Sequence, residues 1–271
     1  MYYETTIGCA LNQNNFLKKY LFRRDFFRKV KEKIYRFIRN NSRNAFKDQK
    51  RLLNNKEHGV IVDVGAYLGE TVQLYRTNFS QSKIFCFEPF SESCDYLKRR
   101  FINDSNINVV ETALGIKDET KPLYVSKYSN LNSLQRPNER AWGFSEKKSV
   151  DVETTTLDQF CYDENIKHID ILKLDVQGSE LDVLLGSKTI LEKGNISLVY
   201  VEWQVVPLYE NHHKYFKIAE FLAGYKYEFF NLYNINESRS GQIRWADAIY
   251  TSKGIRDKMI THFGEGTGSG W

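Results

Sequence analysis

The sequence predicts an α/β fold, a mostly parallel sheet covered by helices on both faces and preceded by a helical extension. Three observations carry this. Short β-branched and apolar runs recur from Val60 onward, each followed by a stretch with helical spacing. The first run, Val60-Ile-Val-Asp-Val64, ends in a glycine-containing turn, as a buried parallel strand does. The 271 residues, 41% of them hydrophobic, supply a core for one good-sized domain.

Residues 1–58 read as a basic extension. Phe16, Tyr20, Phe27, Val30, Ile34 and Phe37 or Ile38 fall at helical spacing, and the stretch to Arg39 holds ten Lys and Arg opposed only by Asp25 and Glu32. The net charge of the whole chain is only +5, so the rest is near neutral and a nucleic-acid partner is not expected. The helix is expected to pack on the main domain with its basic face in water, in preference to meeting an anionic membrane surface or an acidic acceptor.

The main domain is expected over residues 59–256. After the first strand, a helix is expected from Glu70 to Phe79, a strand from Lys83 to Phe87, a helix from Ser91 to Phe101 and a strand from Asn108 to Thr112. Leu123 to Ser126 and Val150 to Thr156 read as a side sheet, and Asp158 to Glu164 as a helix. Asp170 to Leu174 is the central strand, followed by a helix from Ser179 to Leu191 and a strand from Ile196 to Val201. Lys214 to Leu222 is a helix, and strands at Tyr225 to Leu232 and Ala246 to Tyr250 close the sheet. Residues 257–271, Gly/Ser-rich at the end, read as a flexible tail. The start lacks the basic-then-apolar layout of a secretory leader, and no apolar run is long enough to span a bilayer. Cys9, Cys86, Cys94 and Cys161 form no Cys-x-x-Cys pair. A reducing, cytoplasmic setting without structural zinc is the expectation.

The strongest local feature follows the first strand: Asp63-Val-Gly65-Ala-Tyr-Leu-Gly69-Glu70. Gly65 permits a tight turn and close approach of a ligand, and Gly69 lets the next helix start against the sheet. A dinucleotide fingerprint would need glycine at position 67, which is Tyr, so a nicotinamide dinucleotide is disfavoured. The acid Asp63 would repel a pyrophosphate but welcome an ammonium or a sulfonium, and S-adenosylmethionine carries both. Glu88-Pro89, ending the second strand, places an acid where it can accept from two ribose hydroxyls.

In order along the chain, DVGAYLGE (63–70), FEPF (87–90), ETALG (111–115), TTTLD (154–158), KLDVQGSELDVLLG (173–186) and WADAIY (245–250) resemble the FkbM family of S-adenosylmethionine-dependent methyltransferases from about Val60 to Ser252. The resemblance implies a class I methyltransferase sheet, Rossmann-like, with its last strand antiparallel. It implies that Asp63, Gly65 and Gly69 line the methionine moiety, Glu88 holds the ribose, Ala113 and Leu114 lie against the adenine, and Ser133 sits nearby. The expected cofactor-binding set is therefore Asp63, Gly65, Ala66, Tyr67, Gly69, Glu70, Thr71, Glu88, Pro89, Ala113, Leu114, Ser133 and Asp175. Where the family often has Glu, this chain has Gln177. An amide cannot take up a proton, so no base is expected there.

Methyl transfer to a hydroxyl needs alignment and a base. Asp175, ending the central strand, is the first candidate for that base, or else caps the next helix. Lys173 interrupts an apolar run and so needs a buried partner, with Glu202 and Glu180 the candidates, or it serves as base with a depressed pKa. Glu202 is expected to face the acceptor pocket, and His212 and His213 to lie in a lid over it. Asp247 reaches the pocket or pins the last strand. No metal site is expected. A sugar, glycan precursor or secondary-metabolite hydroxyl is the expected acceptor, with stacking from an aromatic-rich C-terminal third (Trp203, Tyr209, Tyr215, Phe216, Tyr225, Tyr227, Phe229, Phe230, Tyr233). N-methylation of a peptide side-chain amide is the alternative.

Overall fold

The computed structural model describes residues 44–141, 148–210 and 214–263. The basic helix expected over 16–39, His212 and His213 lie outside them. The chain runs α1 (Ala45–Leu52), β1 (Val60–Val64), α2 (Glu70–Asn78), β2 (Lys83–Phe87), α3 (Ser91–Arg100) and β3 (Ile107–Val110). Next come β4 (Ala113–Leu114), β5 (Glu119–Tyr124), β6 (Ser149–Thr155), α4 (Leu157–Asp163) and β7 (Ile169–Leu174). It continues through α5 (Glu180–Leu185), α6 (Lys188–Glu192), β8 (Ile196–Gln204), α7 (Tyr215–Gly224), β9 (Glu228–Glu237), β10 (Ile243–Thr251) and α8 (Lys253–Phe263).

The main sheet has the order β3-β2-β1-β7-β8-β10-β9, parallel from β3 to β8, with the last strand β10 antiparallel to both its neighbours. Successive side chains of a strand point to opposite faces, so each apolar run divides between two cores. Val62, Val64, Leu172, Leu174, Val199 and Val201 enter one core, against α4, α5, α6 and α7. Ile61, Ile171, Leu198 and Tyr200 enter the other, against α1, α2, α3 and α8. The side sheet β4-β6-β5 flanks this arrangement.

Among the described residues the expected elements are present with shifted bounds, β5 at Glu119–Tyr124 and β9 at Glu228–Glu237 among them, and four departures have a visible cause. The helix expected from Ser179 to Leu191 is broken at Gly186, because a Cβ there would lie 2.0 Å from the carbonyl oxygen of Gly115 and the chains touch backbone to backbone. The Thr156-Leu157-Asp158 segment caps both helices beside this contact. The Thr156 side chain accepts from Gln159 N at the start of α4, and Asp158 accepts from Thr189 N and Ile190 N of α6 at 2.7 and 2.9 Å. β8 runs on through Glu202, Trp203 and Gln204, residues without an apolar pattern, because β10 pairs with them. α8 continues through 263, past the tail boundary expected at 256, with Ile255 and Met259 buried. At the other end α1 buries Ala45 and Leu52 in the second core, so the compact unit begins at Ala45 and not at 59. Among the described residues, no helix is long and apolar enough to cross a membrane.

Candidate active site

Two clefts open along the carboxyl ends of the parallel strands, where ligands of open α/β sheets bind. The first, about 550 Å³ with its solvent-open mouth, is lined by Gly65, Tyr67, Glu88, Pro89, Ala113, Leu114, Ser133 and Asp175 of the expected set. The sequence reading missed its other walls, among them Val64, Phe87, Leu123, Asn132 and Gln177. The apolar ones looked like ordinary core, and Asn132 belongs to a loop with no periodicity.

The turn after β1 winds through three left-handed residues, Gly65 (φ 80°), Tyr67 (φ 50°) and Gly69 (φ 83°). A Cβ on Gly65 would lie 1.9 Å from the carbonyl oxygen of Asp175, so glycine is required for β1 and β7 to close at this edge. Gly65→Ala is expected to cost about 1–3 kcal/mol in backbone strain alone and more from the clash, read as a lowered unfolding midpoint. Tyr67 takes its unusual conformation because its N–H donates to Glu88 Oε2 at 2.9 Å. Phe90 N donates to Glu88 Oε1 at 2.9 Å. Burial pushes Glu88 up to about 7, with the N–H groups of Phe90 and Tyr67 pulling the other way. Glu88 lines the cleft and each of its oxygens, with one N–H accepted, has accepting capacity left, which suits a vicinal diol, and the apolar walls beside it suit a base. Ser133 is spent structurally, donating to Gln177 O at 2.6 Å and accepting from Gln135 N.

Several expected cofactor residues lie elsewhere. Asp63 is completely buried and does not reach the cleft. Ala66 is packed in the second core, Gly69 abuts Phe101 and Leu97, and Glu70 lies near Arg100 on the surface. Thr71 lines the second cleft.

That second cleft, about 440 Å³, is walled by Phe46, Thr71, Leu74, Lys173, Asp175, Tyr200, Glu202, Asn234 and Asp247. Lys173 pairs with neither Glu202 nor Glu180. Its Nζ lies 2.9 Å from Asp63 Oδ1 and 3.7 Å from Asp175 Oδ2, and it donates to Gly65 O at 3.0 Å. The reason is register, since Asp63 of β1 is the direct neighbour of Lys173 of β7. The ion pair holds although neither oxygen of Asp63 accepts a well-aligned hydrogen bond. Burial acts to lower Lys173, but Asp63 and Asp175 outweigh it and hold the ammonium well above its usual value, the reverse of what a base needs. Burial likewise pushes Asp63 upward against the pull of Lys173.

Glu180 instead closes the turn after β7, accepting from Val176 N and Gly178 N, and burial raises it to about 7. Glu202 is pushed well upward, first by burial and then by Asp175, Glu180 and Asp247. Asp247 both reaches the cleft and pins its strand, accepting from Tyr200 OH at 2.7 Å and Asn234 Nδ2 at 2.6 Å. Burial raises it to about 6 despite those two donors. The nine aromatic residues expected to stack on an acceptor do not line this cleft. Trp203, for one, packs against Tyr215 and Phe229 on the other face of the sheet, and the rings of the cleft are Phe46 and Tyr200. Among the described residues, no three His, Cys, Asp or Glu side chains come together as metal ligands.

A sheet of this order with β10 antiparallel, a left-handed glycine turn after β1 and a carboxylate closing β2 define a class I methyltransferase domain, the class that draws its methyl group from S-adenosylmethionine. The chain belongs to the FkbM methyltransferase domain family, which matches residues 63–229. It is similar to the 2-O-methyltransferase NoeI of Sinorhizobium fredii, 24% identical over 58% of this chain and 68% of that protein. It is also similar to the methyltransferase sdnD of Sordaria araneosa, 28% identical over 50% of this chain and 62% of that one. The chain thus spans about two thirds of the length of these relatives. Among solved structures, a precorrin-6y C5,15-methyltransferase from Geobacter metallireducens aligns at a TM-score of 0.44 with 10% identity, over 76% of this chain and 86% of that one.

Proposed function

We propose that this protein methylates a hydroxyl of a sugar, glycan precursor or secondary metabolite, with S-adenosylmethionine in the first cleft and the acceptor in the second. One observation carries the reading: Asp175 lines both clefts, so its carboxylate stands where donor and acceptor would meet. The cofactor supplies an electrophilic methyl group. Glu88 accepts from the ribose hydroxyls, and Gly65 and Tyr67 shape the wall beside them. In the second cleft Tyr200, Asn234 and Asp247 offer polar contacts to a hydroxylated acceptor, with Phe46 and Leu74 as its apolar side. The carboxylate of Asp175 would take the proton of the acceptor hydroxyl as its oxygen receives the methyl group, the methyl–sulfur bond breaking and S-adenosylhomocysteine leaving with the bond's electron pair. The 2-O-methyltransferase among the relatives supports oxygen as the methylated atom. A cytoplasmic setting agrees with the free, buried thiols of Cys86, Cys94 and Cys161.

The test is calorimetric titration with S-adenosylmethionine, S-adenosylhomocysteine and NAD, followed by radiolabelled transfer to sugars, nucleotide sugars and peptides. Binding of the first two and label on a hydroxyl support the reading. NAD binding alone, or label only on a peptide amide, sinks it.

Glu88 makes a pH prediction. Its folded value of about 7 lies above its usual 4.5, so its contribution to stability is fully present at low pH and is lost as pH rises through that window. The ionised form is the one that accepts from a ribose. Affinity for S-adenosylhomocysteine is therefore expected to rise as pH passes through about 7, and Glu88→Gln to flatten that dependence, both read by calorimetry.

A further inference from the structure

Gln177 lines the first cleft two residues after Asp175, which both clefts share, at the position where the resemblance left no base. Its backbone is left-handed (φ 54°), an unusual conformation for a residue with a side chain. The turn is held there by Ser133 Oγ, which donates to Gln177 O at 2.6 Å. The strained turn aims the carboxamide at four side chains. Its Nε2 donates to Asp175 Oδ1 at 2.9 Å and to Glu202 Oε2 at 3.3 Å. Its Oε1 accepts from Gln204 Nε2 at 3.2 Å and from Tyr209 OH at 3.3 Å. Both ends of the amide are thus matched, which settles its orientation.

We propose that Gln177 is a positioning residue of the methyl-transfer site, its carboxamide bridging Asp175 and Glu202 so that two carboxylates stand side by side and Asp175 faces the acceptor. This rests on the reading of Asp175 as the base. Two half-buried carboxylates side by side repel, and a shared donor offsets this beside the Lys173 ammonium, which lies 3.7 Å from Asp175 Oδ2 but pairs with no oxygen of Glu202. The charged neighbours sharpen the need. Glu202 faces Asp175, Glu180 and Asp247, all acids, and its other donor is Gln204 Nε2 at 3.1 Å, while the ammonium of Lys173 lies 2.9 Å from Asp63 and 3.7 Å from Asp175. A glutamate at 177 would keep the shape of the bridge, remove both donors and add a third carboxylate.

The test uses the full chain with its glutamates labelled at the carboxyl carbon. The Glu202 titration is followed by NMR, assigned with Glu202→Gln, in the unsubstituted protein, in Gln177→Ala and in Gln177→Glu. A donor to a carboxylate favours its ionised form, so its loss is expected to raise the midpoint by about half a unit or more, and the added charge to raise it further. A midpoint that does not move in either variant overturns the proposal. If Gln177→Ala does not fold, the near-isosteric Gln177→Glu decides alone. With an acceptor in hand, the acid limb of the rate profile is expected to move up with that midpoint. Movement of the midpoint with no effect on the rate profile would keep the bridge and reject Asp175 as base.

Discussion

Asp175→Asn is expected to lower turnover by about 10²- to 10⁴-fold while leaving S-adenosylmethionine affinity within a few-fold, because general-base catalysis is worth about that much. The substitution keeps the size of the side chain and an oxygen for Gln177 Nε2, but removes the acceptor of the proton. Its backbone N–H still donates to Val64 O, so the strand end stays in place. Calorimetry and single-turnover methyl transfer separate the two effects. Lost affinity with an unchanged rate per bound cofactor would move Asp175 to a cofactor-holding role and leave the proton without a destination.

Lys173→Met is expected to destabilise the fold by about 3–5 kcal/mol at neutral pH, the typical cost of leaving one member of a buried ion pair alone. The lysine side chain is 6% exposed and that of Asp63 not at all, so water cannot take over for either. The sign with pH follows from the carboxyl left behind. Asp63 is already pushed upward by burial, and without the ammonium it is pushed further. A raised carboxyl keeps its stability at low pH and loses it as pH rises, so the deficit of the variant narrows on acidification. Urea unfolding across pH measures this, and the double substitution Asp63→Ala with Lys173→Met is expected to cost less than the sum of the two singles. An additive result would show that the two side chains do not stabilise one another.

Much of the site was legible in the sequence because chemistry there is tied to chain position. A carboxylate directly after a strand lands at the sheet edge whatever the rest of the fold does, which is why Glu88 and Asp175 face the clefts. The glycine turn was legible for the same reason, since Gly65 answers a steric demand made by the neighbouring strand. Asp63 failed because the alternation of a strand decides which side of the sheet edge a residue serves, and the motif does not reveal what lies across from it. Its role toward a cationic ligand rested on its charge and on the family resemblance, while the cation it meets in the structure is Lys173. The acceptor side was the least legible. Phe46, Tyr200 and Asn234 come from three distant segments, with no shared spacing to connect them.

The sequence by itself determined the alternating elements, the glycine turn and the strand-end acids, because each depends on residues within one strand and its loop. Only the tertiary structure decided the partners. Strand register set Lys173 beside Asp63, the length of β10 carried Glu202 and Asp247 to the same edge, and a left-handed turn placed an amide between two carboxylates. These contacts join residues 25 to 110 positions apart or depend on one backbone dihedral, and local propensity carries no information about either.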